Sequence, residues 1–176
     1  MGLYKNYEGE ILLSDTELRK IPFNEMCKKI SYVPQEVFLF TGTIKENLLL
    51  SYPNATDEEI KLACKLANID NIIESFKDGY NTQIGYDGIS LSGGQKQRIG
   101  IARALLRKAD VFLFDEITSA IDNETENVIK EILKKICKHK TVILISHKKT
   151  TLSIAENIIS LDNIKNSNQK SLDTTT

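Results

Sequence analysis

A chain of 176 residues, 41% hydrophobic and 27% charged, has the size and balance of one globular domain with a real core. Its net charge of −1 gives no general attraction to nucleic acid or to an anionic membrane. Cys27, Cys64 and Cys137 fit neither a zinc spacing nor a disulfide framework, which points to free thiols in a reducing cytosol. The longest apolar runs, Val111–Phe114 and Val142–Ile145, are too short to cross a bilayer, and no secretory signal opens the chain.

In chain order, Gly9-Glu-Ile-Leu-Leu reads as a short strand and Ile30-Ser-Tyr-Val as another, stopped by Pro34. A helix follows Thr56, whose capping box with Glu59 leads into an apolar face of Ile60, Ala63, Cys64 and Ala67. A shorter helix covers Asn71–Phe76. The next begins at Gly93 and runs to about Arg107, with Ser92 as N-cap and Gln95 reaching back. Val111–Phe114 is apolar without alternation, the pattern of a strand buried on both faces of a parallel sheet. Asp122 or Asn123 caps a further helix whose Val128, Ile129, Ile132, Leu133 and Ile136 face a core. Thr141–Ile145 is expected as a second buried strand and Asn157–Leu161 as a third, before a polar tail from 163 to 176. Strands alternating with helices imply an α/β fold with a parallel sheet, and the mainly helical stretch reads as an inserted subdomain.

Three places carry chemistry. Two adjacent glycines, Gly93 and Gly94, open a helix at up to about 1 kcal/mol each relative to alanine. They sit where the amides have no helical partner and the helix end is partly positive, a natural seat for phosphate; a turn that merely starts a helix is the alternative. Asp115 and Glu116 end a buried strand, where ligands of open α/β sheets bind. Neighbours on an extended chain point opposite ways, so one suits a Mg²⁺ ion and the other an attacking water. His147 ends the next strand and can reach the same terminal phosphate, whereas His139 stands among lysines and reads as surface.

Together these stretches resemble the ATP-binding cassette (ABC) ATPases over Gly2 to about Leu161. Leu91-Ser-Gly-Gly-Gln matches the signature motif, Phe112-Leu-Phe-Asp-Glu Walker B, and Ser119-Ala-Ile-Asp the D-loop, with Ile121 where leucine is usual. Val33-Pro-Gln35 matches the Q-loop, Ser146-His147 the switch histidine, and Phe40-Thr-Gly-Thr-Ile-Lys-Glu-Asn the exporter branch. The resemblance implies a P-loop NTPase-like sheet, a domain over 1–162 and a helical subdomain over about 53–107. It implies ATP and Mg²⁺, with Asp115 and Gln35 serving the metal, Glu116 as general base, His147 at the γ-phosphate and Asp122 of the D-loop beside them. Ser92, Gly93, Gly94 and Gln95 would bind ATP held by a second ABC domain in a head-to-tail dimer. The other implied partner is an exporter's transmembrane domain, on the cytoplasmic face of the membrane.

The family's phosphate loop reads G-x-x-x-x-G-K-S/T, yet no glycine here is followed by lysine. In the family that loop, with its strand and helix, comes just before the segment matching Gly2-Leu-Tyr, so the resemblance implies a truncated domain. Three lost charge-assisted hydrogen bonds forfeit about 5–9 kcal/mol, and millimolar binding needs only about 4 kcal/mol. The missing strand would also leave strands such as Val111–Phe114 without a neighbour, and exposed apolar edges invite aggregation, so the chain alone is expected to be marginally folded and inactive. A lesser departure is Tyr86, where exporters commonly carry glutamate at a contact with the membrane domain. A non-enzymatic fragment that lends its signature motif to a partner ATPase is the alternative. A chromosome-associated ATPase is disfavoured, since only a short insert separates Gln35 from Ser92 and no basic patch appears.

Overall fold

A computed structural model describes residues 6–86 and 88–161. The expected polar tail at 163–176 lies outside the described residues. The architecture is α/β, and its centre is a parallel sheet of three strands: β3 (Ile30–Val33), β6 (Val111–Asp115) and β7 (Thr141–Ile145), in that spatial order. Two small antiparallel pairs flank it. β1 (Leu12–Leu13) turns at Ser14, φ 55°, into β2 (Thr16–Glu17), and β4 (Gly42–Thr43) pairs with β5 (Gln83–Ile84). The strand expected from Gly9 is thus only two residues long, because the chain reverses directly after Leu13.

Register fixes which side chains share a face. Ser31, Phe112 and Val142 form one row, and Val33, Phe114 and Leu144 the next. These rows pack into the main core with Ile99, Ile101 and Leu106 of α5 (Gly93–Leu106) and Ile129, Leu133 and Ile136 of α6 (Asn123–Cys137). The opposite row is Tyr32, Leu113 and Ile143, followed by Asp115 beside Ile145. Tyr32, Ile143 and Ile145 are exposed, and Leu113 is half-buried. This corrects the expectation of strands buried on both faces: among the described residues helices cover one face of β6 and β7 and leave the other open, while β6, expected to lack a neighbour, pairs with β3 and β7 on its two sides. The third expected strand is also absent. Asn157–Leu161 forms no strand, and Ile158, Ile159 and Leu161 lie exposed, with no neighbouring strand among the described residues to supply backbone partners.

Local signals hold better. α3 (Asp57–Leu66) starts at the Thr56–Glu59 capping box, with Ile60, Ala63 and Cys64 buried. α4 (Asp70–Ser75) occupies nearly the expected positions, and α5 starts at Gly93 and ends one residue before Arg107. Three α-helices go beyond the elements expected from the sequence: α1 (Phe23–Lys29), α2 (Ile44–Leu49) and α7 (Lys149–Leu152). α2 has its own capping box, Thr43 with Glu46. All three cysteines are free, and Cys64 is buried, which pushes its thiol up to about 12.

Candidate functional site

Parallel pairing brings the ends of β6 and β7 side by side, so Asp115 and Ile145, well separated in sequence, become neighbours there. Glu116 follows β6 in the left-handed region, φ 47°. Its N–H donates to the Ile145 carbonyl at 2.9 Å, and its own carbonyl accepts from Ser119 N–H at 2.9 Å. Such a conformation costs a non-glycine residue about 1–3 kcal/mol and turns its side chain off the strand's line. The two carboxylates accordingly diverge. Asp115 accepts a hydrogen bond from the Tyr32 hydroxyl at 2.9 Å, while Glu116 Oε1 lies 2.9 Å from His147 Nε2. The imidazole is open to solvent, its side chain 89% exposed.

Gln35 follows β3 and reaches the same rim. Its Nε2 donates to Ser119 Oγ at 3.1 Å, and its backbone carbonyl accepts from Gln97 Nε2 on α5. The loop after β3, the turn after β6 and the glycine-led helix are therefore joined by side chains. A carboxylate at Asp115 and a side-chain carbonyl at Gln35 are hard oxygen donors, a set that fits Mg²⁺ holding most of its own waters. Among the described residues no group of three His, Cys, Asp or Glu side chains forms a protein cage for a metal.

At the start of α5, Ser92 Oγ accepts from Gln95 N–H at 3.2 Å, and Gln95 Oε1 accepts from Ser92 N–H at 2.9 Å. The two glycines do different work. Gly93 is exposed, and a Cβ there would meet only the Ala120 carbonyl, at 3.9 Å. Gly94 is buried, and a Cβ would stand 2.4 Å from Thr125 Cγ2. So Gly93 leaves a bare, approachable amide turn, and Gly94 lets α5 pack closely on the first turn of α6. Gln95 spends its carbonyl oxygen on the cap.

Asp122 caps α6: its Oδ1 accepts from Thr125 N–H at 2.9 Å and its Oδ2 from Thr125 Oγ1 at 2.8 Å. Those bonds, the backbone one first, hold its carboxyl below the usual range. Both oxygens thus have a structural duty in addition to any at the rim.

The ABC transporter family model matches residues 1–119, more than half of the chain. The chain belongs to the ABC transporter family. It is 43% identical over 162 residues, 92% of its length, to an uncharacterized ABC transporter ATP-binding protein of Sinorhizobium fredii. It is 42% identical over 160 residues, 91% of its length, to a multidrug resistance protein of Caenorhabditis elegans. A protein of Bacillus subtilis named for multidrug export, with ATP-binding and permease parts, is 39% identical over 160 residues. The chain spans 28% of the length of the two bacterial relatives and 12% of the nematode one.

Two clusters in this ABC chain use side chains to which the sequence motifs assign no role. In the first, Arg103 of α5 donates to the carbonyls of Asn47 and Phe38, each at 2.7 Å, and to Asn47 Oδ1 at 2.6 Å. Asn47 Nδ2 donates to the carbonyls of Phe40 and Thr43 at 2.9 Å, and its Oδ1 also accepts from Phe40 N–H at 2.9 Å. Burial pushes the Arg103 guanidinium down, and the cluster presents Phe38 and Phe40 edge to face on the surface. A buried Asn47 between Ile44 and Leu48 on one helix face is the hint available in the sequence. In the second, Glu126 on α6 gathers Lys148, Thr150 and Thr151.

Proposed function

We propose that this chain is the ATP-hydrolysing module of an ABC exporter, working on the cytoplasmic face of the membrane against a transmembrane partner. Residues 1–162 would form the ABC domain, with 53–107 as its helical part. The observation that carries the reading is the pairing of Glu116 with His147 at the ends of adjacent parallel strands, beside Asp115. That is the set of side chains needed to move a proton from water and to steady a terminal phosphate.

In this reading Glu116 accepts the proton of a water whose oxygen attacks the γ-phosphorus of ATP. The bond from that phosphorus to the β–γ bridging oxygen breaks, releasing ADP and phosphate, with positioning and electrostatics supplying most of the catalysis. His147 holds the γ-phosphate, and Asp115 with Gln35 would hold Mg²⁺, which neutralises phosphate charge when bound. Ser92 and Gly93 are exposed at the amino end of a 14-residue helix, which supports their closing over ATP seated on a second ABC domain. Gln95 supports them through the capping box, and Gly94 through its close packing on α6. Asp122 orders the turn that joins these two parts. The exposed Phe38–Phe40 pair, clamped by Arg103 and Asn47, offers the membrane domain a rigid apolar surface.

The test supplies the phosphate loop that these 176 residues do not contain. A family strand–loop–helix segment bearing G-x-x-x-x-G-K-S/T is fused ahead of Gly2, and ATP turnover is measured. Turnover that falls about 10²–10⁴-fold in Glu116→Gln agrees with a general base. Turnover indifferent to that change rejects the assignment.

A further inference from the structure

Two carboxylates are buried among the described residues, Asp70 and Glu126, each only 4% exposed. Asp70 has a local partner, the Tyr80 hydroxyl at 2.5 Å. Glu126 instead binds the segment after His147 directly and, through Lys148 and Thr151, reaches Thr118 in a second one. Its Oε2 lies 3.0 Å from Lys148 Nζ, and its Oε1 accepts from Thr150 Oγ1 at 2.6 Å and from Thr151 Oγ1 at 3.4 Å. Lys148 Nζ also donates to the Thr118 carbonyl at 2.7 Å, and the Thr118 and Thr151 hydroxyls are 2.8 Å apart. Thr118 and Thr151 are fully buried.

Three segments are therefore linked around one carboxylate: the first turns of α6, which carry it; the residues directly after His147, which bond it; and the turn two residues after Glu116, joined through Lys148 and Thr151. Glu126 N–H further donates to the Asp122 carbonyl at 2.9 Å, which ties the α6 cap into the same unit. Because the His147 ring is almost wholly solvated, packing does not hold it near Glu116; its place depends on its backbone. That backbone is anchored one residue later, at Lys148. A buried ionic cluster adds little net stability over apolar packing, and its best-attested use is to select one arrangement.

We infer that Glu126 is a positioning residue: through Lys148, Thr150 and Thr151 it locks the turn after β7 onto the turn after β6, and so sets the Glu116–His147 geometry. The inference rests on the catalytic reading of that pair, but its test needs no ATP. The full chain has two histidines, so ¹H–¹³C spectra of the rings contain the His147 signal and, as internal reference, that of surface His139. Glu116→Gln identifies the His147 signal and marks its position once the pair is broken. The expected result is that Glu126→Gln and Lys148→Met each shift His147 toward that position, Lys148→Arg restores it, and His139 stays fixed. Should either charge variant fail to fold, Thr150→Val removes one hydrogen bond and no charge, and shifts the signal the same way by less. A His147 signal unmoved in Lys148→Met and Thr150→Val, or unmoved in Glu116→Gln itself, overturns the inference. Loss of the proposed hydrolysis would show in turnover and leave this spectrum readable, so the two failures are distinguishable.

Discussion

Nε2 of His147 lies 2.9 Å from Oε1 of Glu116, although the residues end different strands and the imidazole has no packing of its own. Parallel register puts Asp115 beside Ile145, and each chain leaves its strand on the same side of the sheet. Removing the imidazole takes away the proposed phosphate contact and no buried surface. His147→Ala should leave thermal stability nearly unchanged, within about 0.5 kcal/mol. In the fusion carrying a phosphate loop it should lower ATP turnover about 10–150-fold, the worth of one charge-assisted hydrogen bond of about 1.5–3 kcal/mol. Turnover and a melting curve on the same preparation check both halves.

The two glycines should separate cleanly in stability. Gly94→Ala drives a Cβ to 2.4 Å from Thr125 Cγ2, and Thr125 cannot simply rotate, because its hydroxyl is bonded to Asp122. Overpacking of this kind costs about 1–3 kcal/mol. Gly93→Ala makes only an ordinary contact with the Ala120 carbonyl, at 3.9 Å, and should be neutral or slightly stabilising. Thr125→Ser keeps the hydroxyl and deletes the clashing methyl, so the pair Gly94→Ala with Thr125→Ser should recover most of the loss. Urea unfolding of the four variants tests the cycle.

Arg103 forks to two carbonyls and one amide oxygen, and lysine cannot span that set. Arg103→Lys should destabilise the chain by about 1–3 kcal/mol, since at least one half-buried acceptor loses its donor. Chemical denaturation measures the loss.

Acid should act through Glu126. The Thr150 hydroxyl first, then Lys148, holds its carboxyl below the usual carboxylate range. A group depressed in the folded state stabilises above its unfolded pKa, about 4.3, and that contribution disappears as pH falls through the lower folded value. The melting-temperature gap between wild type and Glu126→Gln should therefore be constant from neutral pH down to about 5 and close below about 4. A gap that stays constant into strong acid would contradict it.

The open sheet face should make the chain associate. Tyr32, Ile143 and Ile145 lie exposed on one face, and contiguous apolar surface of that kind favours contact between copies. Sedimentation velocity should show concentration-dependent association that weakens in Ile143→Thr with Ile145→Thr.

What can be read from the string alone is what local chemistry decides. Ser92 with Gln95 and Thr56 with Glu59 are reciprocal caps three residues apart, and both form as spaced. Asp115, Glu116 and His147 are legible because an apolar run ends in them. The run Val111-Phe-Leu-Phe, however, looks the same whether one face or both are covered; only the packing of α5 and α6 decides that. Asn157–Leu161 has strand-like residues and, among the described residues, no partner strand, and pairing is not a property of the segment. The roles of Gly94, Arg103 and Glu126 were illegible for the same reason: each depends on contacts far away in the chain, with Thr125, Phe38 and Lys148.

Whether Ser92 and Gly93 serve a neighbour's nucleotide or their own is decided most directly by mixing two dead subunits of the phosphate-loop fusion. Gly93→Asp places a negative charge on the exposed bare amide turn without a steric clash, and Glu116→Gln removes the proposed base. In a head-to-tail dimer the mixed pair contains one site built wholly from intact parts, so mixing should restore about a quarter of wild-type turnover. If the mixture stays as inactive as its components, the composite site is wrong.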